Sequence, residues 1–267
     1  MYNIYVKPKN SEGIEKMSAL TSKIPRISGN TLKIIAAISM LIDHAGIMFF
    51  PGVKIFRILG RLAFPIFAFM IAEGCRYTKN KIKYFSLVFG MGLAYTLVFY
   101  VYAHTWYFCI LFTFALSIMT VFALQAFKNA LFSKEKSVLL KLTLGVSFVV
   151  SVALCYLLNQ LLHIDYGFVG CMLPVLVSLF HAPKNNAPEL YKKIDRLEFW
   201  VLGVLIGAIL LYVVYGGVRI YSLLSVPLLL LYSGKRGKRK MKYFFYVFYP
   251  AHLLALEGID MLLNYLS

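Results

Sequence analysis

The chain has 267 residues, 60% of them apolar and only 15% charged, with a mean hydropathy of +0.74 and a formal net charge of +17. A water-soluble domain of this length needs far more surface charge, so the composition excludes that class. It points instead to an all-α polytopic integral membrane protein, whose outer side chains face hydrocarbon.

Residues 1–31 are polar and basic and read as a cytoplasmic N-terminal tail. A cleavable signal peptide is not expected, because the first apolar run is too long and lacks a small-residue cleavage site. About nine apolar runs follow, most of them long enough to cross a bilayer core. They lie near 32–50, 56–75, 83–103, 106–127, 138–162, 166–182, 198–215, 219–233 and 243–264, with 219–233 the shortest. Residues 32–267 are therefore taken as one transmembrane domain. Counting Lys33 with the tail, all Lys and Arg except Lys54, Arg57, Arg61 and Arg219 fall in the tail or in alternate loops: 76–83, 128–141, 183–197 and "GKRGKRKMK". The positive-inside rule then places the N-terminus in the cytoplasm and the C-terminus outside, in a multi-pass protein of the plasma membrane. The net charge is thus chiefly a topology signal and not a nucleic-acid surface. Basic cytoplasmic loops also attract anionic headgroups and phosphorylated cofactors. Cys75, Cys109, Cys155 and Cys171 have no metal spacing and read as small apolar fillers, so no metal centre is expected.

The first run, "TLKIIAAISMLIDHAGIMFF", sets Asp43 and His44 among apolar residues. At about 1.5 Å per residue from Lys33 they stand near mid-membrane. Charge at that depth costs roughly 2.5–3.5 kcal/mol per group, so such residues face a cavity or a partner. Lys33 and His44 are close to three turns apart and share a face, separated by roughly 16 Å along the axis. The second run carries Arg57 and Arg61 one turn apart on one face; Arg57 alone reads as an interfacial snorkeller, and the deeper Arg61 can pair with Asp43 across the hairpin. Pro65 should kink that run. Near its end Glu73 adjoins Arg76, Lys79 and Lys81, where an ion pair at the helix terminus is one reading. The turn "LLHIDYGFVG" presents His163, Asp165 and Tyr166 as either a cap or a substrate contact. "HAPKNNAPELYKKIDRLE" is read as carrying a short surface helix after Pro188. The last run holds Tyr249, Pro250, His252 and Glu257, with His252 again near mid-depth.

"LKIIAAISMLIDHAG", "RILGRLAFPIFAFMIAEGCRYTKNK", "IDYGFVG" and "KYFFYVFYPAHLLAL" resemble the TraX family, from about Leu32 to the C-terminus. The best-known member of that family acetylates the amino terminus of F-type pilin in the membrane. Through the larger transmembrane acyltransferase group, the resemblance also matches a basic residue, ten intervening positions and a histidine; here these are Lys33 and His44, with Lys in place of Arg. It implies an acetyltransferase that moves an acetyl group from cytoplasmic acetyl-CoA to an amine or hydroxyl of an envelope acceptor, a peptide or a glycan. His44 would be the base and Asp43 its orienting or charge-balancing neighbour. Lys33, Arg76, Lys79 and Lys81 would hold the phosphates of coenzyme A. Arg57, Arg61, Glu73, His252, Asp165 and Tyr166 would shape the acceptor chamber. The competing class is a proton-coupled transporter or flippase, which also needs intramembrane charge. Against it, no repeated halves are visible, and nine spans do not divide evenly.

Overall fold

The computed structural model describes residues 26–184, 186–238 and 241–266. The expected tail lies outside these residues as far as position 25. Apart from one isolated bridge between Ile27 and Tyr232, the regular structure of the described residues is helical. In chain order the helices are α1 (Gly29–Phe49), α2 (Lys54–Gly60), α3 (Ala63–Tyr77), α4 (Lys81–Ala103), α5 (Ile110–Leu131) and α6 (Val138–Leu162). There follow α7 (Gly167–Leu179), α8 (Glu189–Ile194), α9 (Leu197–Tyr215), a 3-10 helix (Gly217–Leu224), α10 (Ser225–Leu230) and α11 (Lys242–Leu266). The surface helix expected after Pro188 is α8.

Among the described residues, six helical stretches are long and apolar enough to cross a membrane: Gly29–Phe49, Lys54–Tyr77, Lys81–Val101, Ile110–Leu131, Val138–Leu162 and Leu197–Tyr215. The other three apolar runs take different forms. That near 166–182 becomes α7, 13 residues long. That near 219–233 becomes the 3-10 helix and the six-residue α10. That near 243–264 becomes the 25-residue α11, whose apolar character is diluted by Glu257 and Asp260. The first helix begins at Gly29, earlier than its apolar run, because the Ser28 side chain caps it by accepting the Thr31 N–H at 3.2 Å. Asn80 and Ser137 cap α4 and α6 in the same way.

The expected kink at Pro65 is a break four residues earlier. A proline ring clashes with the carbonyl of residue i−4, here Arg61. The chain accordingly tightens at Arg61 and Leu62, whose N–H groups bond to Ile58 and Leu59 three residues back. Gly60, just before the break, touches Asp43 of α1; a Cβ there would lie 2.3 Å from the Asp43 side chain. The α7–α9 contact is similarly close. A Cβ on Gly203 would lie 2.9 Å from the Val177 backbone, and one on Gly207 would lie 2.7 Å from Leu173. This small-xxx-small spacing allows helices to pack without a hydrophobic driving force between them. By contrast α6 keeps only Ser151, Cys155 and Asn159 buried and turns Leu142, Val146, Val150 and Leu157 outward, as a lipid-facing helix does.

Long-range bonds sort the loops into two ends. At one, Gly29 and Asn30 donate to the Lys235 and Arg236 carbonyls, Arg76 pairs with Asp195, and Lys184 bonds to Asn129. This end carries the basic loops. At the other, Asp165 bonds to Phe108 and Tyr107, next to Arg57 and Arg219 in the same cavity wall.

Candidate functional site

Asp43 sits between the two arginines one turn apart at the α2–α3 break. Arg57 Nη1 donates to one carboxylate oxygen at 3.0 Å, and Arg61 Nη2 donates to the other. The Gly60 contact is what lets the carboxylate reach both. Asp43 therefore serves the arginines and does not contact His44 directly, consistent with the 100° turn between adjacent helical residues.

His44 turns the other way, toward α11. Its Nδ1 lies 2.9 Å from the Met40 carbonyl and 3.2 Å from His252 Nε2. His252 Nδ1 lies 2.9 Å from the Phe248 carbonyl, and its ring stacks on Phe248 at 5.0 Å. A carbonyl oxygen only accepts, so each Nδ1 carries the proton. His252 Nε2 then accepts from His44, and His44 Nε2 retains its lone pair. That nitrogen has no hydrogen-bond partner among the described residues.

Two cavities lie near this pair; His44 lines the smaller one, and His252, expected in the acceptor chamber, lines neither. The larger, about 460 Å³, opens between Lys33 and Arg236 and runs inward past Met70, Phe114 and Tyr249. The smaller, about 210 Å³, holds Asp43, His44, Arg57, Arg61, Asp165 and Arg219. Met40, Phe67, Ile110 and Tyr249 line both and form their common wall. Within the smaller cavity, Tyr107 donates its hydroxyl proton to Asp165. Tyr166, held at φ 59°, lays its ring on Phe64 at 3.8 Å. Burial pushes the Asp165 carboxyl above the usual carboxylate range, opposed by the Tyr107 hydrogen bond and by Arg219 and Arg61.

The remaining expected site residues fall elsewhere. Lys33 lines the larger cavity, with its ammonium 5.7 Å from the Phe245 ring centroid. Arg76 is held bidentately by Asp195 at 2.8 and 2.9 Å and stacks on Trp200, so its fork is already filled. Lys79 is exposed, and Lys81 lies over Phe122; neither lines either of these two cavities. Glu73 does not pair with the neighbouring bases. It is buried, accepts from Tyr232 at 3.1 Å and stands 3.6 Å from His181. Burial, with Arg76 and Lys128 nearby, holds His181 well below the ordinary imidazole range, so that contact is not an ion pair. Glu73 lines the larger cavity, not the His44 chamber. Sequence reasoning missed Arg236, Tyr107 and Arg219 as cavity residues. Arg236 was hidden in a basic run, whereas Arg219 stood out as an isolated cation after a Gly-Gly turn. The described residues contain no group of three or more His, Cys, Asp or Glu that could hold a metal.

Residues 28–260 match the family described as TraX protein. The chain is 26% identical over 256 residues to a probable fimbrial assembly protein FimC, serogroup H1, of Dichelobacter nodosus, covering 87% of this chain and 96% of that protein. It is also 39% identical over 62 residues to an uncharacterized protein of Rickettsia prowazekii (strain Madrid E), covering 23% of this chain and 24% of that one. No solved structure matches it.

Proposed function

From the premise that this chain belongs to the TraX family, we propose that it is a membrane acetyltransferase of pilus or envelope biogenesis, moving an acetyl group from acetyl-CoA to an amine or hydroxyl. The observation that carries this reading is His44, paired to His252, in the lining of a polar cavity that shares a wall with a larger, more apolar one. The larger one suits the donor. Lys33 and Arg236 at its mouth would take the phosphates, and the apolar interior would take the pantetheine chain, whose length is comparable to the roughly 16 Å from Lys33 to His44. The smaller, polar cavity suits the acceptor.

In this mechanism His44 Nε2 takes the proton from the acceptor N–H or O–H. The freed lone pair forms a bond to the acetyl carbonyl carbon. The carbon–sulfur bond then breaks, and the departing thiolate recovers the proton from His44. Negative charge on the carbonyl oxygen needs a fixed donor. The guanidinium of Arg61, which lines the smaller cavity, would supply one. His252 accepts from His44 Nδ1–H, which sets the tautomer and stabilises the imidazolium that forms.

The test is incubation of the purified, full-length protein with acetyl-CoA labelled in the acetyl group. Saturable binding and slow release of labelled acetate to water support the reading. A protein that neither binds nor cleaves the thioester is not an acetyl-CoA-dependent transferase, and the transporter class returns.

A further inference from the structure

The smaller cavity does not balance its charge. Three guanidinium groups, of Arg57, Arg61 and Arg219, face two carboxylates, those of Asp43 and Asp165. Asp43 is taken by Arg57 and Arg61, and Asp165 accepts from the Tyr107 hydroxyl. Arg219 feels the Asp165 charge but has no ion pair among the described residues. Its Nη1 donates to the Tyr215 carbonyl at 3.3 Å, its guanidinium lies 5.0 Å from the Tyr215 ring centroid, and its Nε is buried without a partner.

The backbone is shaped to put it there. Gly216 and Gly217, at φ 63° and 62°, turn the chain from α9 back into the 3-10 helix, bringing Arg219 over Tyr215. Tyr215 is itself seated against Gly167, where a Cβ would lie 1.9 Å from the tyrosine hydroxyl. A guanidinium that lines a polar cavity with no carboxylate of its own is a natural partner for an anion.

We propose that Arg219 is an anion subsite of the acceptor chamber and that the acceptor carries a carboxylate or phosphate close to the group that is acetylated. This rests on the acyltransferase reading above. A guanidinium presents planar paired donors, which suit either oxyanion. The same chemistry could be supplied by an anionic lipid headgroup at the mouth of the chamber, and the experiment separates the two.

The protein is placed in nanodiscs of neutral phosphatidylcholine. Initial rates of acetyl transfer are compared for matched acceptors: glycerol 3-phosphate against glycerol, and alanyl-glutamate against alanyl-glutamine. The anionic member should have the lower KM by about ten- to a hundredfold, the range of a charge-assisted hydrogen bond. In Arg219→Gln that preference should vanish, and Arg219→Lys should restore part of it. An unchanged preference in Arg219→Gln overturns the proposal. Thermal stabilisation by glycerol 3-phosphate, read on the same discs, needs no transfer. If acetyl-CoA is not used at all but this stabilisation is present and lost in Arg219→Gln, the enzymatic reading fails and the anion site stands. If neither soluble anion acts through Arg219, and the variant differs from wild type only in discs containing phosphatidylglycerol, Arg219 is a headgroup anchor and the subsite is refuted.

Discussion

At the scale of single residues, the histidine pair and the Arg–Asp–Arg group predict different phenotypes. His44→Gln keeps a donor and an acceptor at similar size, so the protein should still fold and insert. Transfer should nevertheless drop by about 10²–10⁴-fold, the usual contribution of a general base. His252→Gln should cost less, since it removes a positioning partner and leaves the base in place. Rates measured on detergent-purified variants of equal melting temperature decide both, and near-normal transfer by His44→Gln would exclude it as the base. Asp43 should behave as a structural charge. Asp43→Asn leaves two neighbouring guanidiniums without their shared counter-ion, and breaking a buried pair costs about 3–5 kcal/mol. Arg57→Gln leaves the Arg61–Asp43 pair intact at the more exposed position, so it should cost under about 1 kcal/mol. Thermal unfolding in detergent should rank the two variants in that order.

Asp43 and His44 were legible because charge inside an apolar run is expensive enough to demand a reason. Their division of labour was not legible. Adjacent residues of α1 face different neighbours: the Arg61–Asp43 pair could be read across the hairpin, but only packing showed Arg57 sharing that carboxylate and His44 meeting His252.

At the scale of elements, helix breaks and close crossings place the site. Gly60→Ala would set a methyl group 2.3 Å from Asp43 and push the carboxylate away from its arginines. Activity and melting temperature should therefore fall together, whereas Gly52→Ala, with open space around it, should change neither. Gly203→Leu should be worse for folding than for chemistry: it separates α9 from α7, and the yield of correctly folded protein is the measurement. The break at Arg61 had a visible cause in Pro65, but its position needed the i−4 clash to be placed on a real helix. The basic turn at 76–83 shows the converse. Its lysines and arginine looked alike as phosphate ligands, yet Arg76 is consumed by Asp195, a residue 119 positions away. Arg236 instead reaches the cavity because Gly29 and Asn30 bond the loop carbonyls at 235 and 236. Lys33→Ala and Arg236→Ala should each raise the KM for acetyl-CoA by about tenfold with little change in kcat, a loss of uniform binding. Arg76→Ala should leave that KM alone and lower stability; a raised KM there would restore Arg76 as a donor contact.

For the whole molecule, the two ends differ in charge as the positive-inside rule requires of a protein with one cytoplasmic face. Impermeant maleimide applied to intact cells should label Thr105→Cys, exposed in the loop after α4, and should not label Lys192→Cys on α8. The four native cysteines are buried and should contribute little background. Labelling of Lys192→Cys alone would invert the orientation.

Composition and run length by themselves determined the class, a helical membrane protein, because burying so many apolar side chains away from water leaves few alternatives. The quoted motifs determined the family. The sequence also marked the expensive groups, Asp43, His44, Arg57, Arg61 and His252, since each carries a solvation cost independent of the fold. Tertiary structure alone decided which of nine apolar runs become long, apolar helices, because proline, glycine and dispersed polar residues act through local geometry that hydropathy does not measure. It alone decided which cations are spent and which are free. A lysine or arginine has the same letter whether it faces water, a carboxylate across the bundle or a cavity, and only the packing that brings distant helices together settles which.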